Sequence, residues 1–263
     1  EEAPIAKVGG LGEVMFSLPR ALVSLGHDAR VMIPLYGTID LTKYELSYVY
    51  ENLDVPTAPN GSGKRLICNV RKYEPKKFNR NPVTTYFLEN QEYYELRSNI
   101  YGYSDDRTRF ALLSRGCLEF LNSWQEWIPD IIVSTDWMTG YIPNFLKTDY
   151  QDYKLLGGIT TVFSIHNLVS QGTEKPQRYI PETQRDDGYG PIPDFFSDRM
   201  KDINPMKRGI IYADAVNTVS PTYAEEITSE EFGEGLENLL REKRTKLYGI
   251  LNGIDYETTN PAT

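Results

Sequence analysis

Short runs of β-branched residues alternate with longer helical stretches along most of this chain, and this alternation constrains the fold more than any other feature. The predicted strands are rich in β-branched and aromatic side chains, and they are Ala29–Leu35, Leu66–Arg71, Val83–Leu88, Ile131–Ser134, Thr161–His166, Ala215–Val219 and Leu247–Leu251. The predicted helices have an amphipathic spacing, and they are Gly12–Leu25, Arg107–Trp124, Tyr141–Thr148, Lys207–Ala213, Pro221–Thr228 and Glu234–Lys243. This order predicts an α/β fold with a doubly wound, mostly parallel Rossmann-like sheet, in which ligands gather at the carboxyl ends of the strands.

Composition excludes several classes of partner. The 263 residues carry a net charge of −9 and no long block of Lys or Arg, so we expect neither a nucleic-acid nor an anionic membrane surface. Only Cys68 and Cys117 are present, without metal-type spacing, which predicts free thiols and no metal site. No run of about 20 apolar residues occurs and no signal peptide precedes Glu1, so we expect a cytoplasmic protein.

A glycine-rich turn near the start of the chain has the composition of an anion site. Lys7 stands before Gly9, Gly10 and Gly12, and a predicted helix follows. Glycines allow unusual backbone angles and let a ligand approach the main chain, while a helix N-terminus offers unpaired N–H groups and a positive dipole end. The lysine adds a point charge suited to phosphate. The alternative is that this segment is only a tight connection.

Two polar clusters directly follow predicted strands. Asp136, in the segment STDWMTG, can accept hydrogen bonds from sugar hydroxyls or act as a base, or it can simply cap the next helix. His166, in SIHNL, lies beside Asn167 and is one of two histidines. A lone histidine is often structural, but its place at a strand end favours function. His27 lies in a turn before a strand and is expected to be structural.

Several collinear segments resemble the bacterial glycogen synthase and plant starch synthase family. In chain order they are EAPIAKVGGLGEV (Glu2–Val14), LPRALVSLGHDAR (Leu18–Arg30), YSDDRTRF (Tyr103–Phe110), PDIIVSTDWMTGYIP (Pro129–Pro143), TVFSIHNLVSQG (Thr161–Gly172), YADAVNTVSPTYAEE (Tyr212–Glu226), FGEGL (Phe232–Leu236) and ILNGIDYETTNP (Ile250–Pro261). The resemblance covers the chain from end to end, with residues 41–96 and 173–205 fitting loosely.

The resemblance implies a two-domain GT-B glycosyltransferase that moves glucose, with retention of configuration, from ADP-glucose to the non-reducing end of an α-1,4-glucan. No cofactor is implied. Lys7, Gly9 and Gly10 match the family's donor-phosphate loop, and Asp136 and His166 match residues expected near the transferred glucose. The resemblance also implies a set of residues that support the site or bind the acceptor. They are Glu13, Tyr101, Tyr103, Asp105, Trp137, Asn167, Gln171 and Gly172.

The chain departs from the family pattern around its predicted site. Thr135 and Met138 stand where many members have histidines, which changes the hydrogen bonding expected around Asp136. Glu13 replaces a common aspartate, and Val8 replaces a frequent threonine.

The resemblance also predicts domain organisation. Residues 1–251 match the N-terminal, acceptor-side domain without the family's apolar first strand, and residues 252–263 match the start of a hinge to a C-terminal nucleotide-sugar domain. We therefore expect the isolated chain to be poorly stable and to have little or no catalytic activity. Two alternatives stay open, a non-catalytic glucan-binding or regulatory module and a related transferase that uses UDP-glucose. The Pro- and Gly-rich segment Gln171–Asp194 is long enough to be a lid.

Overall fold

A computed structural model describes residues 1–75 and 81–253 of the chain. The chain divides into two compact units. The first consists of Glu1–Leu53 and Ile67–Tyr103, with residues 252 and 253, and the second consists of Asp54–Leu66 and Ser104–Leu251. The predicted hinge segment 252–263 lies almost wholly outside the described residues, so the predicted domain boundary at residue 251 stays a prediction.

The first unit is built around a mixed four-stranded sheet. Its helix α1 is Gly10–Ser24, and its strands are β1 (Arg30–Pro34), β2 (Ser47–Pro56), β3 (Arg65–Tyr73) and β4 (Thr84–Glu89) in the order β1-β4-β3-β2. Strands β1 and β4 pair in parallel, and β3 pairs antiparallel to β4. The buried cluster under this sheet includes Val31, Ile33 and Phe87, and Ile5 and Ala6 from the N-terminal segment join it.

The second unit contains a fully parallel four-stranded sheet. Its strands are β5 (Ile131–Thr135), β6 (Thr160–Ile165), β7 (Ala215–Thr218) and β8 (Leu247–Gly249), in that spatial order. The helices of this unit connect and cover the strands, and they are α2 (Asp106–Trp124), α3 (Asp136–Thr139), α4 (Tyr141–Thr148), α5 (Pro205–Tyr212), α6 (Pro221–Glu226) and α7 (Glu237–Glu242). Parallel strands need such crossovers because a tight turn cannot join them.

One glycine sets how closely α5 packs on this sheet. A Cβ atom built on Gly209 would lie 2.6 Å from ring carbons of Phe163 on β6. Phe163 is fully buried in a cluster with Met206, Ile210 and Val216. Any larger residue at position 209 would push α5 away from the strand whose end carries His166.

The predicted α/β fold is confirmed, and the strands divide into two sheets of four. All seven predicted strands are present within two residues at either end, and the six predicted helices within three. Strand β2 (Ser47–Pro56) was not predicted. Its burial does not alternate and Asn52 interrupts it with a φ of +56°, so the period-two signal is absent.

The sequence also led to predictions about the two thiols, metal sites and membrane-spanning segments. Cys68 and Cys117 are free, and burial raises the pKa of both thiols to about 12. Within residues 1–75 and 81–253, no group of three or more His, Cys, Asp and Glu side chains could hold a metal ion. Every helix in those same ranges is too short or too polar to cross a bilayer.

Candidate active site

The carboxyl ends of β5 and β6 bring two of the predicted site residues together in the second unit. Thr135 pairs with Ser164 in the register of these parallel strands, so Asp136 and His166 leave the sheet at the same edge. Polar groups at such an edge are in the position where open α/β sheets bind their ligands.

Asp136 is buried, with 6% of its surface exposed, and its carboxylate binds the main chain of the neighbouring strand end. Oδ1 accepts the backbone N–H of His166 at 2.8 Å and that of Asn167 at 3.1 Å. Asp136 has a φ of +51° and is the first residue of α3, while Thr135 holds the cap position. These two bonds run to the turn after β6 and not to α3.

The turn that carries Asp136 is closed by a threonine. The Thr135 N–H donates to Thr139 Oγ1 at 2.6 Å, and the Thr139 hydroxyl donates to the Thr135 carbonyl at 2.8 Å. Met138 is half-buried on α3. Thr135 and Met138, the two departures from the family pattern, therefore lie in a turn that Thr139 closes.

His166 is held by its own strand. Its Nε2 lies 3.0 Å from the buried hydroxyl of Ser164, and its backbone N–H is held by Asp136. Burial lowers the pKa of His166 below its ordinary value, so the imidazole is neutral at pH 7. A neutral ring can donate one hydrogen bond and accept another, which suits a sugar hydroxyl.

Three more of the predicted residues lie around this edge. Asn167 is exposed, and its side-chain oxygen accepts the Val169 N–H at 3.1 Å. Trp137 packs edge-to-face on Phe110, with ring centroids 5.1 Å apart. Gly172 has a φ of +77°, and a Cβ there would lie 2.6 Å from the Trp137 ring. Trp137 and Gly172 therefore serve first to pack this edge of the unit.

Gln171 is buried at the centre of a polar network. Its Oε1 accepts from the Gln177 N–H at 3.0 Å and from Asn204 Nδ2 at 2.9 Å, and its Nε2 donates to the Glu234 carbonyl at 3.1 Å. Every polar atom of this amide faces protein, so Gln171 positions the segment and does not face a ligand. The same bonds fix the start of the segment that the sequence suggested as a lid.

Two residues near this edge were not singled out from the sequence. The hydroxyl of Tyr223 lies 3.4 Å from the Leu168 N–H, and burial raises its pKa, with the charges of Asp136 and Glu234 adding to the effect. Glu234 was expected in a helix, but it has a φ of +53° and is buried against Arg178. The segment FGEGL could have predicted that Glu234 lies outside the helix, because a residue between two glycines seldom continues one.

The predicted phosphate loop lies in the first unit, and its backbone N–H groups bind the side-chain carboxylate of Glu1. Glu1 Oε2 accepts the backbone N–H of Gly9 at 2.8 Å and that of Val8 at 3.1 Å. These donors stand at the N-terminus of α1, where the helix dipole favours negative charge. Lys7 forms an ion pair with Glu13, both side chains being about half exposed (47% and 49%). Such a surface pair contributes little, so a stronger anion can replace the carboxylate.

The glycines of this loop were expected to adopt backbone angles that other residues avoid, and they do not. Gly9 has a φ of −136°, and neither it, Gly10 nor Gly12 adopts a positive φ. A Cβ on Gly10 would meet nothing within 4 Å, and one on Gly9 would meet only Glu1 at 3.9 Å. The fold therefore does not require glycine at 9 and 10, and their lack of a side chain leaves the helix N-terminus open.

The remaining predicted acceptor residues are divided between the two units. Tyr101 donates to Glu1 Oε1 at 3.3 Å within the first unit. Tyr103 accepts the Asn99 N–H at 2.9 Å and packs under Arg97, so it closes a local turn. Asp105 belongs to the second unit, where it precedes α2.

Comparison with known proteins places this geometry in a family. The family model for the starch synthase catalytic domain matches residues 1–242. Glycogen synthases from Moorella thermoacetica and Clostridium acetobutylicum are 38% and 39% identical to the whole chain, which covers 51% and 53% of them. The solved catalytic domain of starch synthase IV from Arabidopsis thaliana, bound to ADP and acarbose, is similar over the whole chain at 32% identity and a TM-score of 0.82, with 52% of that chain covered. The chain thus spans about half the length of the curated relatives it matches, and it belongs to the starch synthase catalytic domain family.

Proposed function

We propose that this chain is the acceptor-side part of a retaining glucosyltransferase that transfers glucose from ADP-glucose to the non-reducing end of an α-1,4-glucan. The observation that carries the proposal is the Asp136–His166 pair, which joins two strand ends through a buried carboxylate. The relatives are named glycogen synthases, and the solved neighbour was bound to ADP. The glucan, the sugar nucleotide, a further domain that shares the nucleotide and a cytoplasmic location are all parts of this proposal.

The proposed chemistry at the strand ends is stabilisation of positive charge and orientation of hydroxyls. The Asp136 carboxylate, placed beside the transferred glucose, stabilises the positive charge that builds on the sugar ring as the bond to diphosphate breaks. The neutral His166 ring exchanges hydrogen bonds with a glucose hydroxyl and is held in place by Ser164. Because water would compete for these bonds, the burial of Asp136 and the half-burial of His166 strengthen them.

The proposed chemistry at the phosphate loop is stabilisation of the leaving diphosphate. Support comes from the Glu1 carboxylate, because Oε2 of that side chain accepts hydrogen bonds from the Val8 and Gly9 N–H groups. Lys7 would exchange its exposed pair with Glu13 for a phosphate oxygen.

The test uses the full-length product of the gene that encodes this chain, with glycogen and ADP-[14C]glucose. We expect label in the polymer, released as labelled maltose by β-amylase, which attacks α-1,4 bonds from non-reducing ends. A parallel reaction with UDP-glucose identifies the donor. Lys7→Ala should lower the rate, whereas Lys154→Ala, at another exposed lysine, should not. No incorporation from either sugar nucleotide would overturn the proposal and would favour a non-catalytic module.

A further inference from the structure

A concave site apart from Asp136 and His166 lies in the second unit. It is a cleft of about 510 Å³, and neither Asp136 nor His166 lines it. That volume is within the range of roughly 300–1,000 Å³ that small-molecule pockets occupy. The side chains that matter for its chemistry are Arg185, Asp187, Tyr189, Arg199 and Asp202.

One wall of the cleft is fixed by a buried ion pair. Arg208 on α5 binds both carboxylate oxygens of Asp186, at 2.7 and 2.9 Å, and both residues are almost fully buried. The same guanidinium donates to the Gly190 carbonyl at 2.9 Å and to the Tyr189 carbonyl at 3.2 Å. Lys207 adds a bond from Nζ to the Asp186 carbonyl at 2.6 Å. The wall is therefore formed before any ligand arrives, which lowers the entropy lost on binding.

The charges that line the cleft balance. Three arginines, at 185, 199 and 208, face three aspartates, at 186, 187 and 202. A phosphate ligand needs an excess of positive charge, which this surface lacks, whereas a neutral polyol needs donors and acceptors together. Within residues 1–75 and 81–253, the side chains of Arg199 and Asp202 form no hydrogen bond or ion pair. They can therefore bind hydroxyls without breaking a contact.

An aromatic ring completes the site. Tyr189 is 61% exposed, while its backbone is held by the Asp187 carboxylate at 2.8 Å and by Arg208. The main chain is thus fixed and the ring is left open to a ligand. A rigid aromatic side chain offers a large apolar face at little entropic cost, and sugar rings carry apolar C–H faces between their hydroxyls.

We propose that this cleft is an oligosaccharide subsite that binds a stretch of α-1,4-glucan away from the transfer site. The choice of glucan rests on the proposed function, whereas the choice of a neutral, hydroxyl-rich ligand rests on the lining itself. Bound there, a glucan chain is held on the protein between successive transfers.

The test is a calorimetric titration of maltoheptaose into the full-length product of the gene that encodes this chain. Tyr189→Ala and Arg199→Ala should each weaken binding at least about fivefold, the loss expected for about 1 kcal/mol of contact. Tyr179→Ala is the matched control, because that tyrosine is 62% exposed in the same segment but does not line the cleft. Exposed side chains are replaced in each case, so folding should be preserved, and a thermal melt checks this.

Further titrations separate this inference from the proposed function. The double variant Asp136→Asn with His166→Ala should still bind maltoheptaose through the cleft, even if glucosyl transfer is never detected. Unchanged binding by both Tyr189→Ala and Arg199→Ala would overturn the subsite even if transfer is confirmed. Absence of sugar binding by the parent, or preferential binding of inorganic phosphate, would overturn it as well.

Discussion

The Asp136 carboxylate accepts the backbone N–H of His166 at 2.8 Å, so the residue that ends one strand holds the main chain that ends the next. The same oxygen also accepts the Asn167 N–H at 3.1 Å. The Asp136 carboxylate, which we propose contacts the sugar, therefore also fixes the position of His166. Structural and catalytic effects of changing Asp136 must be separated by the choice of substitution.

Asp136→Ala should destabilise the chain more than Asp136→Asn. Alanine leaves two backbone N–H groups without an acceptor at about 1–3 kcal/mol each, whereas the asparagine oxygen can accept both. Asparagine also tolerates the positive φ of this position better than alanine does. Urea unfolding should give a loss of about 2–4 kcal/mol for alanine and less than about 1 kcal/mol for asparagine. Equal losses would show that the carboxylate does not hold the β6 turn.

His166 should titrate below the ordinary histidine pKa. Burial favours the uncharged ring, so the folded state resists protonation as the pH falls through 6.5, and stability is lost in that direction. The chain has two histidines, so a ring-proton NMR titration contains two signals, and a His27→Asn variant assigns them. A midpoint for His166 at or above 6.5 would contradict the neutral ring proposed for the site.

Glu2 should make the first unit less stable at alkaline than at mildly acidic pH. Burial raises the pKa of this fully buried carboxyl from 4.5 to about 7, against hydrogen bonds from Thr85 at 3.0 and 3.1 Å and the charge of Arg20. The folded state therefore holds its proton more tightly than the unfolded state does. Stability falls as the pH rises from 4.5 to about 7 and is flat above that.

Glu2→Gln should remove this dependence. The variant should gain up to about 3 kcal/mol over the parent at pH 8 and little at pH 4.5, as measured by urea unfolding at both values. Glu13→Gln, at an exposed carboxylate, is the control. A gain of the same size at both pH values would mean that Glu2 is not protonated in the folded chain.

Arg208 should hold the segment around Tyr189 in place. Arg208→Ala leaves the buried Asp186 carboxylate without its bidentate partner, and breaking such a pair costs about 3–5 kcal/mol. Limited proteolysis should then cut between residues 185 and 193 at protease concentrations that leave the parent intact. The double variant with Asp186→Asn should recover part of the resistance, because no buried charge remains. Cleavage elsewhere first would argue against this anchoring role.

Local patterns predicted the elements of this fold well, because periodicity and β-branching act over a few residues. They also placed Asp136 and His166 at the ends of strands, and the pairing of those two strands comes from the structure. They missed β2, whose burial is irregular, and they missed contacts between residues far apart in sequence. The Glu1 carboxylate on the Gly9 N–H, and Gln171 bound to Glu234, are determined by packing that no local pattern encodes.

The most direct test of the glucosyl-transfer site is the initial rate of [14C]glucose incorporation from ADP-glucose into glycogen by the full-length product and its Asp136→Asn variant. Asp152→Asn, at an exposed aspartate, is the matched control. We predict that Asp136→Asn keeps the parent's melting transition while its rate falls at least about 100-fold, and that the control keeps the parent rate. Transfer by Asp136→Asn at the parent rate would contradict a role for this carboxylate in the reaction.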